Sequence, residues 1–150
     1  MKPELIVNAN SQKAMTQHAE EIYPEECCGF MLGTVEENDS KTVTGFLPVE
    51  NTREVNRARR FEISAEDYRK AELYALKNGY DLVGVYHSHP DHPAEPSEYD
   101  LSQALPFFSY IIISVRNGKT ADVTSWELNE KKEFEHQPIK TQKPKENIDG

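Results

Sequence analysis

The segment Phe108–Val115, FSYIIISV, limits the fold more than any other stretch of the chain. Its β-branched and aromatic residues read as a strand, and its run of isoleucines leaves no polar face. A strand apolar on both sides needs cover on both sides, which predicts the interior of a sheet with helices layered over it. Cys28–Val35 and Thr42–Val49 read as two further strands, joined by the polar turn Glu36–Lys41. Asp81–His87 is another strand with a dense apolar centre. Asn117-Gly118 is a hairpin signal leading to a return strand over Ala121–Leu128, and Glu133–Ile139 is a candidate for one more.

Three helices punctuate these strands. Asn10 or Ser11 caps one that reaches about Ile22, with Ala14, Met15, His18, Ala19 and Ile22 on one face and Pro24 as its stop. Ser64, with Asp67 three residues on, opens a second that runs to about Asn78 and ends at Gly79. Its inward face is Tyr68, Ala71, Tyr74 and Ala75. Ser97 opens a short third helix that ends before Pro106, after a loop stiffened by Pro90, Pro93 and Pro96. Asn51–Arg60 is an irregular loop carrying Arg53, Arg57, Arg59 and Arg60. The expectation is one α/β (α+β) domain over residues 1–139, a mixed sheet packed by helices, followed by a flexible polar tail over 140–150.

Charge and composition remove several classes of function. A net charge of −9 over 150 residues disfavours nucleic acid as a partner. No apolar run approaches the roughly 20 residues of a membrane helix. The opening MKPELIVNANSQK turns polar after Val7, too soon for a secretory signal. Cys27 and Cys28 are sequence neighbours and cannot bridge without severe strain. The expectation is a cytoplasmic protein with reduced thiols, a monomer or weak homodimer.

The chemistry concentrates around His87-Ser88-His89-Pro90. Residues two apart on a strand point to the same side, so both imidazoles can aim at one point beyond the sheet. Two converging histidines suit a divalent metal, zinc above all. Asp100, one turn into the helix opened by Ser97, is the candidate third ligand. Three protein ligands leave a fourth position open, the mark of a catalytic rather than a structural zinc. Ser97-x-x-Asp100 is equally a capping box, a purely structural device. Glu26, just before the Cys28 strand, is a candidate base, with Glu25 as competitor, and the Ser97 hydroxyl could serve a developing oxyanion. Neither cysteine has an evident activating partner. His92 sits close to the motif on a proline-rich loop, while His18 and His136 have no partner visible in the sequence.

Taken jointly, His87-x-His89, seven residues, Ser97, two residues and Asp100, with the upstream Glu26-x-Cys28-Gly29, resemble the signature of the JAMM (MPN-plus) zinc metallopeptidases. The likeness extends over most of residues 3 to 135 and is greatest to the short prokaryotic branch. It implies a fold like that of the cytidine deaminases and one Zn2+ per chain held by His87, His89 and Asp100. It also implies Glu26 as general base and Ser97 as stabiliser of the tetrahedral intermediate. The implied substrate is the C-terminal Gly-Gly tail of a ubiquitin-like or sulfur-carrier protein, with the basic loop available to dock an acidic carrier. The alternative is a non-catalytic MPN scaffold, whose members usually lack the metal ligands. A nucleoside deaminase needs His-x-Glu and Pro-Cys-x-x-Cys, neither of which is present.

Overall fold

The computed structural model describes residues 3–53, 57 and 60–143. The chain begins with strand β1 (Leu5–Asn8), which passes without a linker into helix α1 (Ala9–Ile22). The cap is Asn8, two residues before the expected Asn10. Its side-chain oxygen accepts from Asn10 N at 2.9 Å and Ser11 N at 3.2 Å. The last strand residue therefore doubles as the cap, which a search for a polar residue after an extended segment would place too late.

Strands β2 (Cys28–Val35) and β3 (Lys41–Val49) follow the expected boundaries to within one residue. Helix α2 (Ala65–Asn78) is capped by Ser64, whose hydroxyl accepts from Asp67 N, and stopped by Gly79 at φ 74°. Its buried residues are Ala71 and Ala75, with Tyr68 half-buried. Tyr74, expected inward, is exposed, because only the narrow stripe of Tyr68, Ala71 and Ala75 meets the sheet. Strand β4 runs from Asp81 to Pro90, three residues past the expected end, because Ser88, His89 and Pro90 keep pairing with Ile113, Ser114 and Val115. Helix α3 (Glu98–Gln103), β5 (Ser109–Arg116), β6 (Lys119–Leu128), β7 (Phe134–Gln137) and β8 (Ile139–Gln142) are the remaining elements of the described residues.

The eight strands among the described residues join one mixed sheet in the order β7-β6-β5-β4-β2-β3-β1-β8. The pairs β4–β5, β1–β3 and β1–β8 are parallel and the remaining pairs antiparallel. β7 and β8 lie at opposite edges yet only Pro138 separates them, so the sheet curls until its edges meet. Leu5 N donates to Pro138 O at 2.8 Å at that seam. The strand β8 takes in Lys140, Thr141 and Gln142, which correspond to the start of the expected tail. That segment is polar because it is an edge strand, not because it is unpaired.

Helix α1 packs against β1, β3, β4, β5, β6 and β8, a spread that only the concave face of a curled sheet offers. Met15 and Ala19 meet Leu5, Val7, Met31, Val43, Val83, Ile111, Ile113 and Val115 there. The other face carries Phe30, Val85 and Tyr110 against Ala71 of α2 and Phe61. β5 accordingly sends alternate residues into both cores, as its apolar run demands. A Cβ at Gly84 would lie 1.8 Å from Ser109 O, so glycine is what lets β4 approach β5 closely enough to hold the His87–Pro90 end in register.

Candidate active site

β2 and β4 are antiparallel, with Cys28 opposite His87. The start of one strand therefore lies beside the end of the other. Ser88 locks that junction: its Oγ accepts from Cys27 N at 2.8 Å, and its N donates to Cys27 O at 3.1 Å. This register carries Glu26, the residue before Cys27, to the two histidines. Glu26 is 2% exposed. A carboxylate oxygen of Glu26 and a ring nitrogen of each of His87 and His89 all lie within 4.8 Å of one another. Glu25, the competitor, is exposed.

The histidines converge as the strand alternation predicts. Their Nε2 atoms are 3.2 Å apart. Asp100 completes the cluster, with Oδ1 3.2 Å from His87 Nε2 and Oδ2 3.1 Å from His89 Nε2. A tetrahedron with zinc–nitrogen bonds of about 2.0 Å has edges of about 3.3 Å, so these separations fit the donors of a tetrahedral zinc. His89 Nδ1 lies 2.9 Å from Pro93 O, so Nδ1 carries a proton and Nε2 is the nitrogen that faces the cluster. Phe61 stacks on the His87 ring at 4.5 Å, and His87 Nδ1 is buried without a hydrogen-bond partner among the described residues.

The two readings of Asp100 turn out to coexist. Ser97 N donates to Asp100 Oδ2 at 2.9 Å, and Asp100 N donates to Ser97 Oγ at 3.0 Å, a complete capping box. The box holds the carboxylate that the histidines face. Because Ser97 Oγ is an acceptor in this box, its own O–H stays available to donate.

Burial sets the electrostatics. It pushes the Glu26 carboxyl up to about 8, aided by Asp100 and opposed by His89 and Arg60. A divalent cation beside it would act in the opposite sense. Burial holds His87 below the ordinary histidine value although Asp100 pulls it up. Burial also lowers His89, but hydrogen bonds to Asp100 and Pro93 outweigh it and the net shift is upward. Asp100 is raised by burial, yet His87, His89 and the Ser97 amide together hold it well below the carboxylate range. Opposed shifts in touching groups are what a metal-binding or catalytic cluster produces.

Glu26, Arg60, His89, His92, Ser97 and Tyr99 line a cleft of about 500 Å3. A second cleft, of about 400 Å3, is also lined by Glu26, with His18, Pro48, Asn51 and Arg57 among its other walls. His92 lines the first cleft but stands outside the Glu26–His87–His89 group. His18 has a partner after all, Tyr86 Oη at 2.8 Å, and His136 sits edge-on to Trp126. The sequence reading missed Asn51. Its Nδ2 donates to Glu26 O at 3.2 Å and to Arg60 O at 3.1 Å, while its Oδ1 accepts from Arg53 N and Glu62 N, both at 3.0 Å. Nothing local in the sequence marks an asparagine in a loop as such a hub. Of the basic loop, Arg53, Arg57 and Arg60 are described, and Arg59 lies outside the described residues.

Cys27 and Cys28 are both buried and unpaired. Burial pushes the Cys27 thiol up to about 12 and that of Cys28 upward as well. At pH 8 the thiolate fraction of Cys27 is then about one in ten thousand. The native protein is expected to resist Ellman's reagent at that pH and to release both thiols on unfolding in guanidinium. Rapid labelling of the native state would show that one of them has access to the cleft.

The chain matches, over residues 8–129, the family described as prokaryotic homologs of the JAB domain. It is 33% identical over 123 residues to a desampylase of Haloferax volcanii, covering 78% of this chain and 85% of that protein. It is 26% identical over 138 residues to the CysO-cysteine peptidase of Mycobacterium tuberculosis, covering 83% and 82%. The crystal structure of a JAB1/MPN domain protein from Archaeoglobus fulgidus superposes with a TM-score of 0.55 at 18% identity, over 93% of this chain and 98% of that one, a likeness of fold. The chain belongs to the prokaryotic JAB domain family. In this chain Glu26 lies with His87 and His89, and Asp100 contacts both histidines.

Proposed function

We propose that this JAB-type hydrolase is a zinc-dependent peptidase that cleaves the amide bond after the C-terminal Gly-Gly of a ubiquitin-like or sulfur-carrier protein. The observation that carries the reading is the convergence of His87, His89 and Asp100 at 3.1–3.2 Å with the buried Glu26 beside them. His87, His89 and Asp100 would hold one Zn2+ per chain. A zinc ion held there would supply Lewis acidity for amide hydrolysis near neutral pH.

The remaining work belongs to the chain's own residues. Glu26 takes the proton of the attacking water and returns it to the leaving amine. Its burial limits competition from bulk solvent in both transfers. The Ser97 hydroxyl, whose oxygen is already anchored by Asp100 N, donates to the carbonyl oxygen as negative charge develops. Pro93 O and Phe61 hold the imidazoles of His89 and His87 in place. Glu26 lines both clefts, so each of them gives access to the residue read as the base. The names of the desampylase and CysO-cysteine peptidase relatives support the same substrate class.

The test is zinc content. Wild-type protein should bind about one zinc per chain, and His87→Ala or Asp100→Ala should bind little. Asp100→Asn separates ligation from capping, since its amide oxygen can still accept from Ser97 N. Full zinc in Asp100→Ala would reduce Asp100 to a helix cap. A wild type that takes no zinc even on reconstitution would move the protein to the scaffold class.

A further inference from the structure

The reaction uses Glu26, Ser97 and the metal-binding trio, and leaves unused a cation on the wall of the same cleft. Arg60 lines that cleft together with Glu26, His89, Ser97 and Tyr99. Its guanidinium carbon lies 4.8 Å from the centroid of the Tyr99 ring. No carboxylate among the described residues lies within ion-pair distance of it. A guanidinium held over an aromatic ring keeps its N–H donors available at its edge, in the fork that matches a carboxylate.

Two sets of contacts fix where this cation stands. On one side, Asn51 Nδ2 donates to the carbonyls of both Glu26 and Arg60, so the two backbones hang from one nitrogen. On the other, Tyr99 donates its phenol to the carbonyl of Phe61 at 3.1 Å, and the Phe61 ring stacks on His87. Arg60 is thus tied to the residue read as the base and, through its neighbour Phe61, to a metal-binding histidine. Its charge reaches the Glu26 carboxyl, where it works against the effect of burial. Arg53 adds positive charge at the same ring, 5.6 Å from its centroid. Glu95 and Glu98 also line the cleft, and Arg60 is the arginine among the side chains that line it.

We propose that Arg60, seated on Tyr99, is a specificity-determining residue that takes the α-carboxylate of the leaving group, so that the enzyme releases a free amino acid in preference to an uncharged amine. The proposal rests on the peptidase reading. Hydrolysis adds water across the amide: the carrier leaves with a C-terminal carboxylate, and the other product is an amine that has received a proton from Glu26. In an amino acid the carboxylate carbon is about 2.5 Å from that nitrogen. The group that recognises the carboxylate must therefore stand beside the base, and Arg60 does.

The experiment uses two synthetic peptides ending in Gly-Gly-Ala, one with a free C-terminal carboxylate and one a carboxamide. Turnover is measured with zinc-loaded wild type, Arg60→Gln and Arg60→Lys. Binding is measured by titrating each peptide into the Glu26→Gln protein with and without Arg60→Gln. The wild type should cleave and bind the free acid about tenfold better than the carboxamide, the scale of a charge-assisted hydrogen bond at a half-open site. The ratio should collapse toward one in Arg60→Gln and return in part in Arg60→Lys. A ratio of one in the wild type, an unchanged ratio in Arg60→Gln, or no binding of the free-acid peptide overturns the assignment. If both peptides are cleaved equally, the carboxylate assignment fails and the peptidase reading stands. If neither is cleaved but the binding preference is present and vanishes with Arg60→Gln, the peptidase reading fails and the carboxylate site stands.

Discussion

The Glu26→Gln variant is expected to keep about one zinc per chain and to lose turnover by roughly 10²–10⁴-fold, the usual contribution of a positioned general base. The two readouts answer different questions. An oxygen within 4.8 Å of both imidazole nitrogens could belong to a base or to a further ligand. Glutamine matches glutamate in shape and still fills the buried site before Cys27, so the strand junction made by Ser88 should survive. It cannot accept the proton of water at neutral pH, and its amide is a poor metal ligand. Zinc retained with turnover lost assigns Glu26 to proton transfer. Zinc lost together with turnover makes it a ligand, and turnover within a few-fold of wild type removes it from the chemistry. Elemental analysis and a Gly-Gly conjugate assay on the same preparation distinguish the three. The comparison is informative because Asp100→Ala should fail in the opposite order, losing metal first.

The parts of this site that follow strand alternation were legible in the sequence. His87 and His89 share a face because they are two apart on a strand, and β4 keeps them so. Asp100 was legible through its spacing from Ser97, although local pattern could not say whether it capped or faced the histidines. The structure shows one carboxylate oxygen meeting both His89 and the Ser97 amide. The approach of Glu26 was not legible from residue pattern alone. It depends on the β2–β4 register, which is fixed by side chains packed far along both strands. The same limit hid β8. Short polar segments look like tails until a partner edge is known, and Ile139–Gln142 finds its partner in β1, at the opposite end of the chain. Lys41 was hidden for another reason: a lysine at a strand start reads as exposed, and here the curled sheet closes over it.

Lys41 carries the second large expected effect, on stability rather than chemistry. Its side chain is 4% exposed, and its Nζ lies 2.6 Å from Glu127 Oε2, itself only 13% exposed. Nζ also donates to Ser109 Oγ at 3.2 Å and to Phe107 O. Phe107 sits at φ 77°, a left-handed conformation that an aromatic residue rarely adopts, and is 88% exposed. With its side chain largely in solvent, Phe107 is restrained there in part by the bond from Lys41 to its carbonyl. Ser109 Oγ passes the network on to Gln137 Oε1 at 2.9 Å, and Gln137 Nε2 reaches Pro3 O at 3.2 Å, across the seam where the sheet's edges meet. Lys41→Met therefore leaves Glu127 charged in a nearly dry site and loosens the closure of the sheet. The expected loss is about 3–5 kcal/mol, the range for breaking a buried pair by removing one partner. In urea it should appear as a lower midpoint at unchanged slope. Pairing Lys41→Met with Glu127→Leu should recover most of the loss, since two apolar groups carry no stranded charge. A single variant within about 1 kcal/mol of wild type would mean that water reaches Glu127 and screens it. Lys41 lies opposite Val35, at the far end of β2 from Cys28 and the histidines, so zinc content should be unchanged in the folded variant. A loss of zinc from protein that is still folded would show that closure of the sheet, and not the local register of β2 with β4, holds the site together.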